Sequence, residues 1–309
     1  MTTQHSAGLS GVLSPVVTPF TDDLKPDADR WIRQCRWLLS QNCGLAVFGT
    51  NSEANSMAGS ERMALLERLV EAGVDTGRMM PGTGACSLTE AVEVTAHAVG
   101  LGCAGVLMLP PFYYKGVPDE GLYRHYSEVI QRVGDSRLKI YLYHIPPVAQ
   151  VPISLELIAR LTADYPDTVV GIKDSSGDWS NTKAMLDRFP GFRVFAGSEA
   201  FLLDNMRNGG VGCISATANI NPAAIHDLYA NWQAGDADER QKALTDFRQA
   251  VAQYPMIPAL KQTVAHFTGD AGWARVRPPL VELTADQKAG LVAELERRGF
   301  AMPGLREMA

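Results

Sequence analysis

Along the chain, short apolar runs rich in β-branched residues alternate with longer stretches whose apolar positions recur at helical spacing. Eight runs read as strands, near Leu13–Val17, Leu45–Phe48, Arg78–Pro81, Gly105–Leu109, Lys139–Tyr143, Val169–Lys173, Arg193–Phe195 and Gly212–Ile214. Between them lie helical patterns such as Leu122, Tyr126, Val129, Ile130 and Val133, which share one face. Ser60 before Glu61, Ser154 before Leu155, and Asn221 before Pro222 supply side-chain acceptors where helices leave N–H groups unpaired. Regular alternation of this kind predicts an α/β fold with a parallel sheet covered by helices, and eight units predict a TIM (β/α)8 barrel. An open doubly wound sheet gives a similar pattern, but no Gly-x-Gly-x-x-Gly follows the first strand. After Pro222 the signals are helical only. Residues 1–222 are therefore expected to form the catalytic barrel, and residues 223–309 its last helix and a C-terminal helical extension.

Composition narrows the function classes. The chain has 309 residues, 46% hydrophobic and 20% charged, enough apolar material for a large core. Its net charge of −6, with no block of Lys and Arg, argues against a nucleic-acid partner. No apolar run approaches bilayer length, and the opening MTTQHSAGLSG has no basic segment leading into an apolar one. The expectation is a cytoplasmic protein with no membrane partner. Five scattered cysteines, without a C-x-x-C pair or zinc-ligand histidines, read as buried reduced thiols and not as a metal site or disulfide framework.

In a barrel, chemistry gathers where strands end. Alternation in Val169-Val170-Gly171-Ile172-Lys173-Asp174 puts Val169, Gly171 and Lys173 on one face, with Val170 and Ile172 on the other. If the second face meets the helices, Lys173 points into the barrel mouth, and Gly171 below leaves room for its long side chain. Low-dielectric surroundings would favour the neutral amine, the form that attacks a ketone. A salt-bridged or anion-binding lysine fits the same pattern. In the preceding strand, Ile140 and Leu142 face outward and Tyr143 inward, so its phenol would lie one strand spacing from Lys173 and within reach of a bound substrate. A tyrosine wedged at the end of the core is the plain alternative. Gly49-Thr50-Asn51-Ser52-Glu53 is dense in donors and suits a carboxylate, although an ordinary βα loop looks the same.

Taken together and in order, these segments resemble the dihydrodipicolinate synthase and N-acetylneuraminate lyase superfamily of pyruvate-dependent lyases. Gly49-Thr50-Asn51-Ser52-Glu53 is similar to that superfamily's Gly-Thr-Thr-Gly-Glu turn, and Tyr143-His144-Ile145-Pro146 to its Tyr-Asn-x-Pro. Gly171 through Asp178 resembles the Schiff-base lysine segment, Pro110-Pro111-Phe112-Tyr113-Tyr114 the Pro-Tyr-Tyr stretch, and Gly212 through Asn219 the loop after the last strand. The resemblance covers nearly the whole chain. It implies that Lys173 forms an imine with a 2-oxo acid, that Tyr143 shuttles protons, and that Thr50 and Asn51 hold the carboxylate. It also implies that Gly197 and Ile214 line the pyruvate pocket. Tyr114, or else Tyr113, would enter a neighbouring subunit's site in a homotetramer built as a dimer of dimers. No metal or organic cofactor is implied.

Departures from the pattern bear on the substrate. Val148 stands where dihydrodipicolinate synthases place an arginine for the aldehyde's carboxylate, and Asn51 and Ser52 replace a threonine and a glycine of the turn. Ser198-Glu199-Ala200 lacks the acidic pair that sialic acid lyases turn to the sugar tail. The expected activity is therefore a lyase or aldolase of 2-keto-3-deoxy acids, with a neutral hydroxylated aldehyde fragment unless another basic residue reaches the place of Val148. Other readings are a dehydratase or deaminase using the same imine, a true dihydrodipicolinate synthase, and a non-catalytic barrel that binds a 2-oxo acid.

Overall fold

The computed structural model describes residues 8–308. Seven strands form one parallel sheet: β1 (Gly11–Ser14), β2 (Gly44–Leu45), β3 (Val106–Met108), β4 (Ile140–His144), β5 (Val169–Asp174), β6 (Arg193–Ala196) and β7 (Gly212–Ile214). Their order is β2-β1-β7-β6-β5-β4-β3. The two edges meet through the segment that the sequence marks as the third strand. Parallel bridges join Leu45 to Met79 and Gly82 to Leu107. The Met80 N–H donates to the Leu45 carbonyl at 2.8 Å, and the Leu107 N–H to the Pro81 carbonyl at 2.8 Å. Pro81 has no N–H to return, so this stave makes isolated bridges and not a continuous ladder. The sheet is thus a closed (β/α)8 barrel, and the open-sheet alternative falls.

Alternation sorts the side chains into two layers. Leu13, Ala46, Met80, Leu107, Tyr141, Tyr143, Phe195 and Ile214 fill the barrel interior. Val12, Leu45, Val106, Ile140, Leu142, Ile172, Val194 and Cys213 face outward, into the core shared with the helices. At about 1.5–3 kcal/mol for each fully buried aliphatic or aromatic side chain, both layers contribute heavily to stability.

Strand β5 departs from simple alternation at its start. Ile140 pairs with Val169 but Tyr141 pairs with Gly171, which leaves Val170 as an extra, unpaired residue. This bulge reverses the predicted faces below it: Val169 joins the outer core and Val170 packs against the interior. From Gly171 onward the predicted alternation holds. The space above Gly171 is not lysine space, however. A Cβ there would lie 2.6 Å from the ring of Tyr141 and 2.5 Å from the Arg193 carbonyl, so the glycine admits the tyrosine. The Tyr141 hydroxyl in turn accepts the Leu9 N–H at 3.0 Å and caps the interior at its N-terminal end.

The helical boundaries differ in detail from expectation. Ser154 caps its helix by accepting the Leu157 N–H at 3.0 Å. Ser60 lies inside the helix Gly59–Glu71, whose first free N–H, that of Ala58, is taken by the Glu61 carboxylate at 3.0 Å. Asn221 makes no side-chain cap bond, and Pro222 at the first helical position, which lacks an N–H, reduces the need for one. The predicted amphipathic face lies on the helix Asp119–Val133. Beyond Pro222 the helices Pro222–Ala230, Ala237–Val251, Met256–Thr268 and Ala285–Arg297 follow, with no strand among the described residues. Four cysteines are buried as expected, but Cys86 is exposed, in the loop ahead of the helix Leu88–Gly100.

Candidate active site

Parallel pairing sets Tyr143 on β4 directly opposite Lys173 on β5. The buried Lys173 Nζ donates to the Tyr143 hydroxyl at 3.2 Å and lies 4.3 Å from the centre of its ring. The same hydroxyl is 3.2 Å from Thr50 Oγ1. With lysine donating, both contacts are satisfied when the phenol O–H points to Thr50. An amine, a phenol and a hydroxyl therefore form one chain on top of an otherwise apolar barrel interior.

The turn after β2 divides its residues between a cavity and the scaffold. Thr50 and Asn51 line a cavity of about 460 Å³, which Tyr143 and Lys173 also reach. Ser52 faces the scaffold instead: its Oγ accepts the Gly49 N–H at 3.2 Å, and its carbonyl accepts from Thr18 Oγ1 at 2.7 Å. Glu53 adopts a left-handed backbone at φ 57°, a costly conformation for a residue with a Cβ. Its carboxylate holds the buried Lys261 Nζ at 2.6 Å and the Arg277 N–H at 2.8 Å. Burial pulls the Lys261 pKa down to about 8, against the opposing attraction of Glu53.

The remaining expected residues fall in several places. Gly197 lines the cavity, and a Cβ on it would lie 2.1 Å from Ser175 Oγ and 2.6 Å from the Asp174 carbonyl. Ile214 sits lower, packed within the barrel interior. Val148 lines the cavity and is exposed, offering neither charge nor donor. Tyr113 and Tyr114 are 73% and 74% exposed, edge to face with ring centres 5.3 Å apart, and neither lines the cavity.

Several residues that line the cavity were not anticipated, Arg248 among them. Arg248, on the helix Ala237–Val251, lines the same space and donates from Nη1 to Glu199 Oε2 at 3.0 Å and to Ser215 Oγ at 3.1 Å. Glu199 also accepts the hydroxyls of Ser215 and Thr217. Arg248 thus qualifies the expectation of a neutral distal pocket. A signal was present in the sequence, since Arg248 shares a helix face with the buried Leu244, Phe247 and Val251. Lys261 gave no comparable signal, because its partner Glu53 lies 208 positions away.

Residues 8–298 match the sequence profile of the dihydrodipicolinate synthetase family. The chain belongs to this family. It is an enzyme, a class I lyase that works through a lysine Schiff base. A protein of Chloroflexus aurantiacus described as an uncharacterized DapA-like lyase is 32% identical over 291 residues, covering 93% of this chain and 96% of that one. The crystal structure of dihydrodipicolinate synthase from Agrobacterium tumefaciens superposes with a TM-score of 0.86 at 32% identity, over 94% of this chain and 99% of that one. A prophage protein of the family from E. coli, solved in complex with pyruvate, gives 0.85 at 25% identity, over 95% and 99% of the two chains.

Where the family's Tyr-Asn-x-Pro stretch has asparagine, this member carries His144, paired across the strands with Asp174. His144 Nδ1 accepts the Ile153 N–H at 3.0 Å, so the neutral ring carries its proton on Nε2. The Asp174 carboxylate accepts from Thr182 Oγ1 at 2.7 Å, Asn181 Nδ2 at 3.0 Å and the Ser176 N–H at 2.9 Å. These bonds anchor the strand ends that carry Tyr143 and Lys173.

Burial lowers the His144 pKa from its ordinary 6.5, with the Asp174 charge opposing. The unfolded chain therefore takes up a proton as pH falls through 6.5 while the folded protein does not, and stability is lost on that descent. His144→Asn should make urea midpoints measured above and below pH 6.5 fall less steeply. Some slope will remain, because burial lowers His125 and His226 too. An unchanged slope would show that His144 is not a buried neutral base.

Proposed function

We propose that this protein is a Schiff-base lyase or aldolase acting on pyruvate and related 2-oxo acids, with Lys173 as nucleophile, and that it cleaves or condenses a 2-keto-3-deoxy acid. The observation that carries the reading is the contact chain from Thr50 through Tyr143 to Lys173 at the barrel mouth. In this reading neutral Lys173 attacks the C2 carbonyl and water departs, leaving a protonated imine that serves as electron sink. Cleavage of the C3–C4 bond releases an aldehyde and leaves an enamine, which is protonated at C3 and hydrolysed to pyruvate. Tyr143 moves the protons, relayed to Thr50 over two contacts of 3.2 Å. Thr50 and Asn51 orient the 2-oxo acid's carboxylate from the opposite wall of the cavity. Val148 supplies no partner for an aldehyde carboxylate on its side, which favours 2-keto-3-deoxy acids over the condensation with aspartate semialdehyde. The exposed pair Tyr113 and Tyr114 suits a homotetrameric dimer of dimers in which Tyr114 reaches a neighbouring site.

Borohydride added with pyruvate should reduce an imine and place the pyruvate-derived mass on the peptide containing Lys173. Label on a different lysine, or undiminished label in Lys173→Ala, would remove the central claim. Tyr143→Phe should fold normally and lose roughly 10²–10⁴-fold in kcat, because the ring still packs while a proton route disappears. Near-parental turnover would return Tyr143 to the role of core residue. Activity per chain should fall when the protein is diluted to monomer, and a fully active monomer would contradict the role given to Tyr114.

A further inference from the structure

Lys173 and Arg248 are the two basic residues that line the cavity, and only Lys173 has a part in the chemistry above. Arg248 is not a plain structural ion pair. The Glu199 side chain is 1% exposed, whereas that of Arg248 is 24% exposed and borders the cavity. Glu199 accepts from three donors: Oε1 takes the Thr217 hydroxyl, and Oε2 takes the Ser215 hydroxyl and Arg248 Nη1. A buried carboxylate is costly to desolvate, and here its charge is spent on holding one end of a guanidinium. Arg248 commits only Nη1 to protein partners among the described residues. Its Nε and Nη2 groups, the edge that matches a carboxylate in bidentate fashion, remain unused.

Position adds to chemistry. Arg248 is tied to Ser215, which follows β7, while Lys173 lies on β5. Two strand spacings, about 10 Å, separate those strands. Val148, by contrast, follows β4 on the other side of Lys173. A ligand joined to Lys173 and extending across the mouth toward β7 would bring its far end to the guanidinium.

We propose that Arg248 binds a carboxylate at the end of the substrate remote from its 2-oxo acid group, with Glu199 as the positioning residue that fixes the guanidinium. The inference rests on the lyase reading and names its substrate class: a 2-oxo acid that is also a terminal carboxylate, with hydroxylated carbons between. Run as a condensation, pyruvate C3 bonds to the aldehyde carbon, the C3 proton leaves to Tyr143, and the new alkoxide is protonated, so no oxidant or reductant is needed.

The test compares two three-carbon aldehydes that differ at one terminus, tartronate semialdehyde with a carboxylate and glyceraldehyde with a hydroxymethyl group. The parent protein should prefer the carboxylated aldehyde by about 10–100-fold in kcat/KM, the range a charge-assisted contact supplies. Arg248→Met should collapse that ratio toward one, and Arg248→Lys, which keeps the charge but not the fork, should restore part of it. Glu199→Gln should raise KM for the carboxylated aldehyde more than it lowers kcat. Borohydride trapping of pyruvate on Lys173 serves as the check that each variant retains its proximal site. A parent protein that traps pyruvate yet shows no preference, or an Arg248→Met variant that traps pyruvate and keeps the full preference, overturns the inference and leaves the lyase reading intact. Failure of the parent protein to trap pyruvate overturns both.

Discussion

The barrel mouth depends on the parallel register between β4 and β5, which sets Tyr143 against Lys173. A slip of one residue in either strand would turn every later side chain to the opposite face and send the amine into the helical layer. The bulge at Val170 makes this dependence concrete. It absorbs one residue at the start of β5, so that Gly171 and Lys173 point inward even though Val169 points out. The Tyr141 ring then fills the space above Gly171, and the lysine is left to reach upward to the phenol and the Thr50 hydroxyl.

Buried charge ties the later helices to this mouth. The Glu53–Lys261 pair joins the turn after β2 to the helix Met256–Thr268, and Arg277 adds its backbone N–H to the same carboxylate. Such pairs add little net stability when intact, but losing one partner commonly costs about 3–5 kcal/mol because the other charge stays buried. They act as positional locks. The left-handed Glu53 is held by its two partners, and the preceding residues Thr50 and Asn51 are presented to the cavity as a result. Glu199 and Arg248 repeat the arrangement on the other wall, with the difference that the arginine faces open space.

Much of this was legible along the chain because it depends on near neighbours. Period-two alternation placed Ile140 and Leu142 outward and Tyr143 inward, and it aimed Lys173 inward from Gly171 onward. The third strand was readable from its apolar run even though Pro81 denies it a regular ladder. Val169, Val170 and the use of the space at Gly171 were misread, since a bulge and a ring from the adjacent strand leave no mark in a six-residue window. By itself, then, the sequence determined the eight staves, their two faces, and the amine and phenol at neighbouring strand ends, because each follows from local chemistry and spacing. Only the tertiary structure decided that Lys261 would neutralise Glu53 from 208 positions away, and that Arg248 would meet Glu199 across 49. Both pairings exist because closing the barrel brings distant segments to one rim, and the need to compensate buried charge then selects which of them touch.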